Sequence, residues 1–163
     1  MSPGVSDPES KAELLERLRA AFTDLVPHNR AIGMELVDFD RAEGIAIMSL
    51  PYRPELIGNP DTGVIHGGAI TTLLDATAGA SVFTKMWSTA AVATLDLRID
   101  YLKPATPGQA VLAKGVCYKL TRNVAFVRAL AYHEATGEAD PVASATATFI
   151  LGSRGSFANM EKK

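Results

Sequence analysis

Residues 63–85 read Gly-Val-Ile-His-Gly-Gly-Ala-Ile-Thr-Thr-Leu-Leu-Asp-Ala-Thr-Ala-Gly-Ala-Ser-Val-Phe-Thr-Lys, and a single charge, Asp75, precedes the closing Lys85. From 68 to 84 the side chains are apolar or small on every side, the pattern of a helix wrapped by the rest of a fold. The turn that opens it looks uncapped. A carboxylate sunk in such a helix costs several kcal/mol unless it has a partner, a water-filled pocket or a proton, so Asp75 marks a place where chemistry is expected. Ala69, Thr71, Thr72, Ala76, Thr77, Ala78, Gly79, Ala80 and Ser81 are small enough for strands to approach the helix backbone closely. Ile70 and Leu74 lie mostly on another side, assigned to the core.

Upstream, residues 51–63 hold Pro51, Pro54, Gly58, Asn59, Pro60 and Gly63, a density of breakers that reads as an irregular loop leading into the helix. Before it, 34–40 and 43–50 read as two strands of a hairpin. Residues 9–26 show helical spacing, with Leu14, Leu15, Leu18, Phe22 and Leu25 on one stripe, ending before Pro27 and a short Pro-His-Asn-Arg turn. Downstream, residues 94–101 alternate, with Leu95, Leu97, Ile99 and Tyr101 on one face and Thr94, Asp96, Arg98 and Asp100 on the other. The charged face is expected to meet solvent or another subunit. Residues 109–120, 123–134 and 141–151 supply three further strands, expected as consecutive antiparallel neighbours.

Two strands, one buried helix and four strands give an α+β plan: one curved antiparallel sheet wrapped around a central helix, with an N-terminal amphipathic helix added. The expected organisation is an N-terminal helical extension over 1–30, one domain over 31–152 and a flexible tail over 153–163. At 163 residues the chain suits a single core, and 16 Lys and Arg against 18 Asp and Glu leave a net charge of −2. That balance excludes a global basic field for nucleic acid or anionic membranes. No apolar run reaches a membrane span and no leader pattern opens the chain, so a cytoplasmic protein is expected. One cysteine, Cys117, excludes an internal disulfide and a cysteine-based metal cluster, and reads as a small buried strand residue.

A helix N-terminus presents unsatisfied N–H groups that can hold a carbonyl oxygen as it gains negative charge. Gly67 and Gly68 bare that terminus, and His66 beside them offers a ring that donates or accepts. Asp75 lies eight residues beyond Gly67. At about 1.5 Å rise per residue the separation is about 12 Å, too far for both to serve one carbonyl carbon. A twofold axis setting two helices antiparallel would bring Asp75 of one chain to the Gly67 end of the other, which predicts a homodimer with two shared sites.

The run from Asn59-Pro60 to Asp75, with His66-Gly67-Gly68 and Leu73-Leu74-Asp75, resembles the hotdog-fold acyl-coenzyme A (CoA) thioesterases of the phenylacetic acid degradation type. Thr94-Leu-Asp-Leu-Arg-Ile-Asp-Tyr-Leu-Lys-Pro-Ala is similar to that family's strand after the helix, and Ala143 to Leu151 to its last strand. The resemblance covers roughly residues 31–152. It implies hydrolysis of an acyl-CoA thioester without metal or other cofactor. Asp75 would be nucleophile or general base, the Gly67 N–H would polarise the carbonyl, His66 and Asn59 would position substrate or water, and Thr94 would orient that water. CoA phosphates need cations, and Lys119 and Arg122 at the Thr121-Arg122-Asn123 turn, with Arg128, Arg98 and Lys103, are the candidates; Gly68 and Asn123 join the substrate-binding set. Dimers pairing into a homotetramer remain open, as do a non-catalytic module binding acyl-CoA or an acyl carrier and a dehydratase on the same fold. Met86 and Trp87 are candidate lining for an acyl tunnel.

Overall fold

The computed structural model describes residues 10–86 and 91–152. Trp87, and the ends of the chain where the flexible tail is expected, lie outside them. Helix α3 runs unbroken from Gly67 to Met86 and buries Ile70, Leu73, Leu74, Thr77 and Val82. The strands are β1 (Glu35–Asp40), β2 (Ile45–Leu50), β3 (Ile57–Asn59), β4 (Val64–Ile65), β5 (Val92–Tyr101), β6 (Val111–Leu120), β7 (Val124–Tyr132) and β8 (Ala143–Leu151). Six of them form one antiparallel sheet in the order β1-β2-β6-β7-β8-β5, and β3 pairs with β4 beside it. The expected hairpin, the run of three neighbours and the central helix are all present, which is the hotdog architecture.

Alternation explains the burial. Ala113, Cys117, Ala125, Val127, Ala129, Ala145, Ala147 and Phe149 point inward and are buried, so the sheet meets α3 through mostly small side chains. The closest approach is at Gly115, where an added Cβ would stand 2.9 Å from the Thr77 carbonyl oxygen and 3.3 Å from Ser81 Cβ. Cys117 is packed with Ala78 and Val82, and burial pushes its thiol pKa up, as expected for an inert core cysteine. His133, also buried, holds the loop before β6: its Nε2 accepts from Thr106 N–H at 2.8 Å and its Nδ1 lies 2.8 Å from the Ala110 carbonyl.

The N-terminal region departs from the simple amphipathic helix. Helix α1 (Lys11–Arg19) starts at a Ser10/Glu13 capping box, then widens into a π-helical turn over Ala20–Asp24. The wider turn shifts the apolar stripe: Leu15, Leu18 and Phe22 pack on the core, but Leu25 is 77% exposed. Pro27 begins a second helix, α2 (Pro27–Ile32), in place of the expected turn, because proline is well suited to a first helical position. The extension docks on its own chain. Phe22 meets Phe83 of α3 edge to face at 5.3 Å, and Lys11 pairs with Asp38 at 2.7 Å, holding that carboxyl below its usual pKa. On the outer edge of β1, Arg19 Nε donates to Leu36 O at 2.8 Å and Leu36 N–H donates to Thr23 Oγ1.

The breaker-rich segment is also more ordered than its composition implies. It contains a 3₁₀ turn over Pro54–Leu56 and the β3 strand, and His66 N–H donates back to Leu56 O at 2.8 Å. That bond fixes where α3 begins.

Candidate active site

The start of α3 is capped by an unexpected residue. His66 Nδ1 accepts from Gly68 N–H at 2.9 Å, and His66 O accepts from Ala69 N–H at 3.0 Å. The imidazole lone pair does what a Ser or Asp oxygen does at an ordinary N-cap, which is why cap residue types gave no signal. The neutral ring then carries its proton on Nε2, so His66 can offer a ligand a donor but not a base. None of the hydrogen bonds among the described residues engages the Gly67 N–H, whose place as first helical residue denies it an intrahelical partner.

The two glycines have steric reasons as well. A Cβ on Gly68 would lie 2.9 Å from His66 Nδ1, and one on Gly67 would lie 3.3 Å from the Tyr101 hydroxyl. Tyr101, the last residue of β5, donates to Gly67 O at 2.8 Å, and Thr71 Oγ1 reaches both that carbonyl and the Tyr101 oxygen. Sequence reading placed Tyr101 on the inward face of its strand but did not include it among the site residues. Its hydroxyl ties the end of β5 to the helix tip.

If the histidine ring is the cap, His66→Leu is expected to lower stability by about 1 kcal/mol in urea denaturation, whereas His66→Asn, whose side-chain oxygen can cap, stays near the parent. Equal stability for all three would show that the Gly68 bond contributes nothing.

Asp75 lies half-buried two turns further along α3, and Thr94 Oγ1 donates to its Oδ1 at 2.9 Å. This contact corrects the strict alternation read for β5. Thr94 pairs with Phe149 and Asp96 with Thr148, leaving Leu95 as an extra bulged residue. Ahead of the bulge the facing reverses, so Thr94 joins Leu97, Ile99 and Tyr101 on the helix side while Leu95 is 56% exposed. With Oδ1 held, Oδ2 is the oxygen available for a ligand or water. Asp96, Arg98 and Asp100 face outward, and Arg98 pairs with Asp100 at 3.1 Å.

The remaining candidates are dispersed. Asn59 ends β3, and its Oδ1 accepts from Asp61 N–H at 3.0 Å, so that oxygen is committed to its own turn. Neighbouring Gly58 is closer to the histidine: a Cβ added there would stand 2.8 Å from His66 Cα. Lys119 lies near the end of β6, and Arg122 and Asn123 in the turn to β7; Cys117, on the same end of β6, packs with Ala78 and Val82, in the C-terminal half of α3. Within one chain the structure therefore does not bring them to Gly67. Arg128 stacks 4.7 Å over the Tyr118 ring, and Lys103 pairs with Asp140. Among the described residues no group of His, Cys, Asp and Glu has the makings of a metal site, and no helix is long and apolar enough to cross a membrane.

Two clefts flank the helix tip. One, of about 360 Å³, runs between Ile65, Gly67, Ile70, Tyr101 and Leu102. The other, of about 450 Å³, lies between α2, the 3₁₀ turn and the first turns of α3.

Comparison with known proteins agrees with this architecture. The thioesterase superfamily model matches residues 62–139. The medium/long-chain acyl-CoA thioesterase YigI of Escherichia coli K12 is 30% identical over 153 residues, covering 86% of this chain and 95% of that protein. A solved structure from Pseudomonas aeruginosa, 40% identical, superposes with a TM-score of 0.73 over 84% of this chain and 98% of its own. The phenylacetic acid degradation protein PaaI of Thermus thermophilus, in a mutant structure, is 25% identical with a TM-score of 0.64, covering 76% and 97% of the two chains. The helix tip, the acid two turns along it and the sheet that encloses both thus belong to a member of the hotdog-fold thioesterase superfamily.

Proposed function

We propose that the protein hydrolyses acyl-CoA thioesters, with Asp75 as nucleophile or general base and the Gly67 N–H of a partner protomer as the oxyanion donor. The observation that carries this reading is the Thr94–Asp75 hydrogen bond, which fixes a half-buried carboxylate on α3, whose first N–H, that of Gly67, is unengaged among the described residues. The relative YigI, named for medium- and long-chain acyl-CoA, supports the substrate class.

The reaction needs three events. A nucleophile adds to the thioester carbon, either water relieved of a proton by Asp75 or the Asp75 carboxylate itself. The carbonyl oxygen takes the resulting charge and is held by the Gly67 N–H, in the field of the helix terminus. The C–S bond then breaks, and CoA leaves as thiolate and takes up a proton. In the second route water hydrolyses the acyl anhydride to return the carboxylate. His66 Nε2–H and the free amide of Asn59 are available to orient substrate or water, and Thr94 aims the acid.

One helix keeps Gly67 and Asp75 about 12 Å apart, so each site draws on two chains. The outer edge of β5, unpaired among the described residues, gives a second copy a place to add, with the two α3 helices antiparallel, and pairs of dimers build a tetramer. The phosphates of CoA are assigned to Lys119 near the end of β6 and Arg122 in the turn after it, with Asn123 beside them.

A panel of acyl-CoA esters, followed by thiol release, tests the assignment. Release dependent on enzyme concentration is expected across at least part of the panel. Binding of the esters by calorimetry with no thiol released would instead make the protein a non-catalytic acyl-CoA binder.

A further inference from the structure

The cleft of about 450 Å³ is walled by Ile32 of α2, Leu56, Ile57, and Ala69 and Thr72 of α3. Its volume falls in the range, about 300–1,000 Å³, of pockets that enclose small organic ligands. Its position on α3 is informative. Thr72 precedes Asp75 by three residues, so the two are neighbours on one helix face, and at the other end the cleft reaches His66, beside the Gly67 N–H. With each proposed site drawing on two chains, the cleft thus borders a reacting centre at either end, at His66 next to the Gly67 N–H and at Thr72 next to Asp75. The 360 Å³ cleft meets α3 through Gly67 and the buried Ile70, away from Asp75.

Three of the walls, Ile32, Leu56 and Ile57, come from residues upstream of the stretch matched by the superfamily model, which starts at residue 62. The N-terminal helices are held in place against the core by the Phe22–Phe83 contact and the Arg19–Leu36 bond, and Arg53 donates to Ala31 O at 3.0 Å to fix α2 over the 3₁₀ turn. A rigid wall of branched aliphatic side chains suits an alkyl chain. The ionisable residues of its lining, His28, Glu55 and His66, are all exposed, with Arg53 3.7 Å from Glu55, whereas Leu56 is buried.

We infer that this cleft holds the acyl chain of the thioester, and that Ile32 and Ile57 set how long a chain is accepted. The inference rests on the proposed thioesterase activity. It makes the N-terminal extension a specificity element of the site.

The test compares butyryl-, octanoyl- and palmitoyl-CoA as substrates of the full-length parent, Ile32→Trp, Ile57→Trp and Leu102→Trp, with melting temperatures measured alongside. Leu102 lines the other cleft and serves as control. Filling the cleft from either side is expected to lower kcat/KM for palmitoyl-CoA relative to butyryl-CoA by roughly tenfold or more, since even one methylene changes discrimination by about tenfold or more in an apolar pocket. Leu102→Trp should leave that ratio unchanged. Should Ile32→Trp fail to fold, Ile57→Trp from the opposite wall gives the same readout. An equal loss for all three esters, or a length effect in Leu102→Trp alone, overturns the inference while the activity stands. A parent protein that releases no thiol from any ester overturns the proposed activity itself.

Discussion

Asp75→Asn is expected to lower kcat by about a hundredfold or more, with KM for acyl-CoA and the melting temperature close to those of the parent. The asparagine is isosteric and its oxygen can still accept from Thr94 Oγ1, as the Asp75 Oδ1 does at 2.9 Å, so the local geometry survives. What disappears is the charge that deprotonates water or attacks carbon. Asp75 is half-buried and is the one acidic residue of α3, so no other carboxylate on the helix can substitute for it. Steady-state kinetics on the best ester of the panel measures the loss. Turnover near the parental value would remove Asp75 from the chemistry and return the site to a binding role.

The second large effect concerns the fold. Gly115→Val is expected to destabilise the protein by about 3 kcal/mol, at the upper end for an overpacked core, and Gly115→Ala by less. A Cβ at this position would stand 2.9 Å from the backbone oxygen and 3.2 Å from the carbonyl carbon of Thr77, atoms that cannot swing aside as a side-chain tip does. Relief requires β6 to lift from α3, which would loosen the packing of Cys117 against Ala78 and Val82. Urea denaturation of the three proteins gives the ranking. At an ordinary strand glycine the alanine variant would gain stability by restricting the unfolded chain, so a stabilised Gly115→Ala would refute the close approach.

Much of this architecture could be read from composition along the chain, because the features that produce it are local. The small side chains between Ala69 and Ser81 announced a helix that strands approach closely, and Gly115 shows how closely. Strands β6, β7 and β8 were legible as three runs ending in polar turns, and the structure turns their alanines inward. What escaped were events that break a period. The π-helical turn at Ala20–Asp24 moved Leu25 into solvent, and the bulge at Leu95 reversed the facing of Thr94. Neither leaves a mark in residue type, since each is set by how a neighbouring element pairs or packs.

The candidate site divides the same way. Asp75 was conspicuous as a charge without company, and His66-Gly67-Gly68 as an opening turn. The resemblance named Thr94 for its role, and the bulge supplies the geometry that lets it reach the acid. Tyr101 reaches Gly67 across the fold, where no spacing within the helix encodes it, and the His66 Nδ1 cap, though local, uses a residue type outside the ordinary cap set. Asn59 shows the converse: the residue type is present, but its carbonyl oxygen is occupied by its own turn.

The two rims of the main sheet are unlike. Arg19 and Thr23 occupy the free backbone groups of Leu36 along the β1 rim, whereas β5 pairs with β8 alone among the described residues. A ribbon with one sealed border and one open border can be extended once, after which both ends of the joined ribbon are sealed. In the proposed dimer, growth by strand addition would therefore stop at a closed pair, and the long border of β5 would carry little risk of seeding fibres.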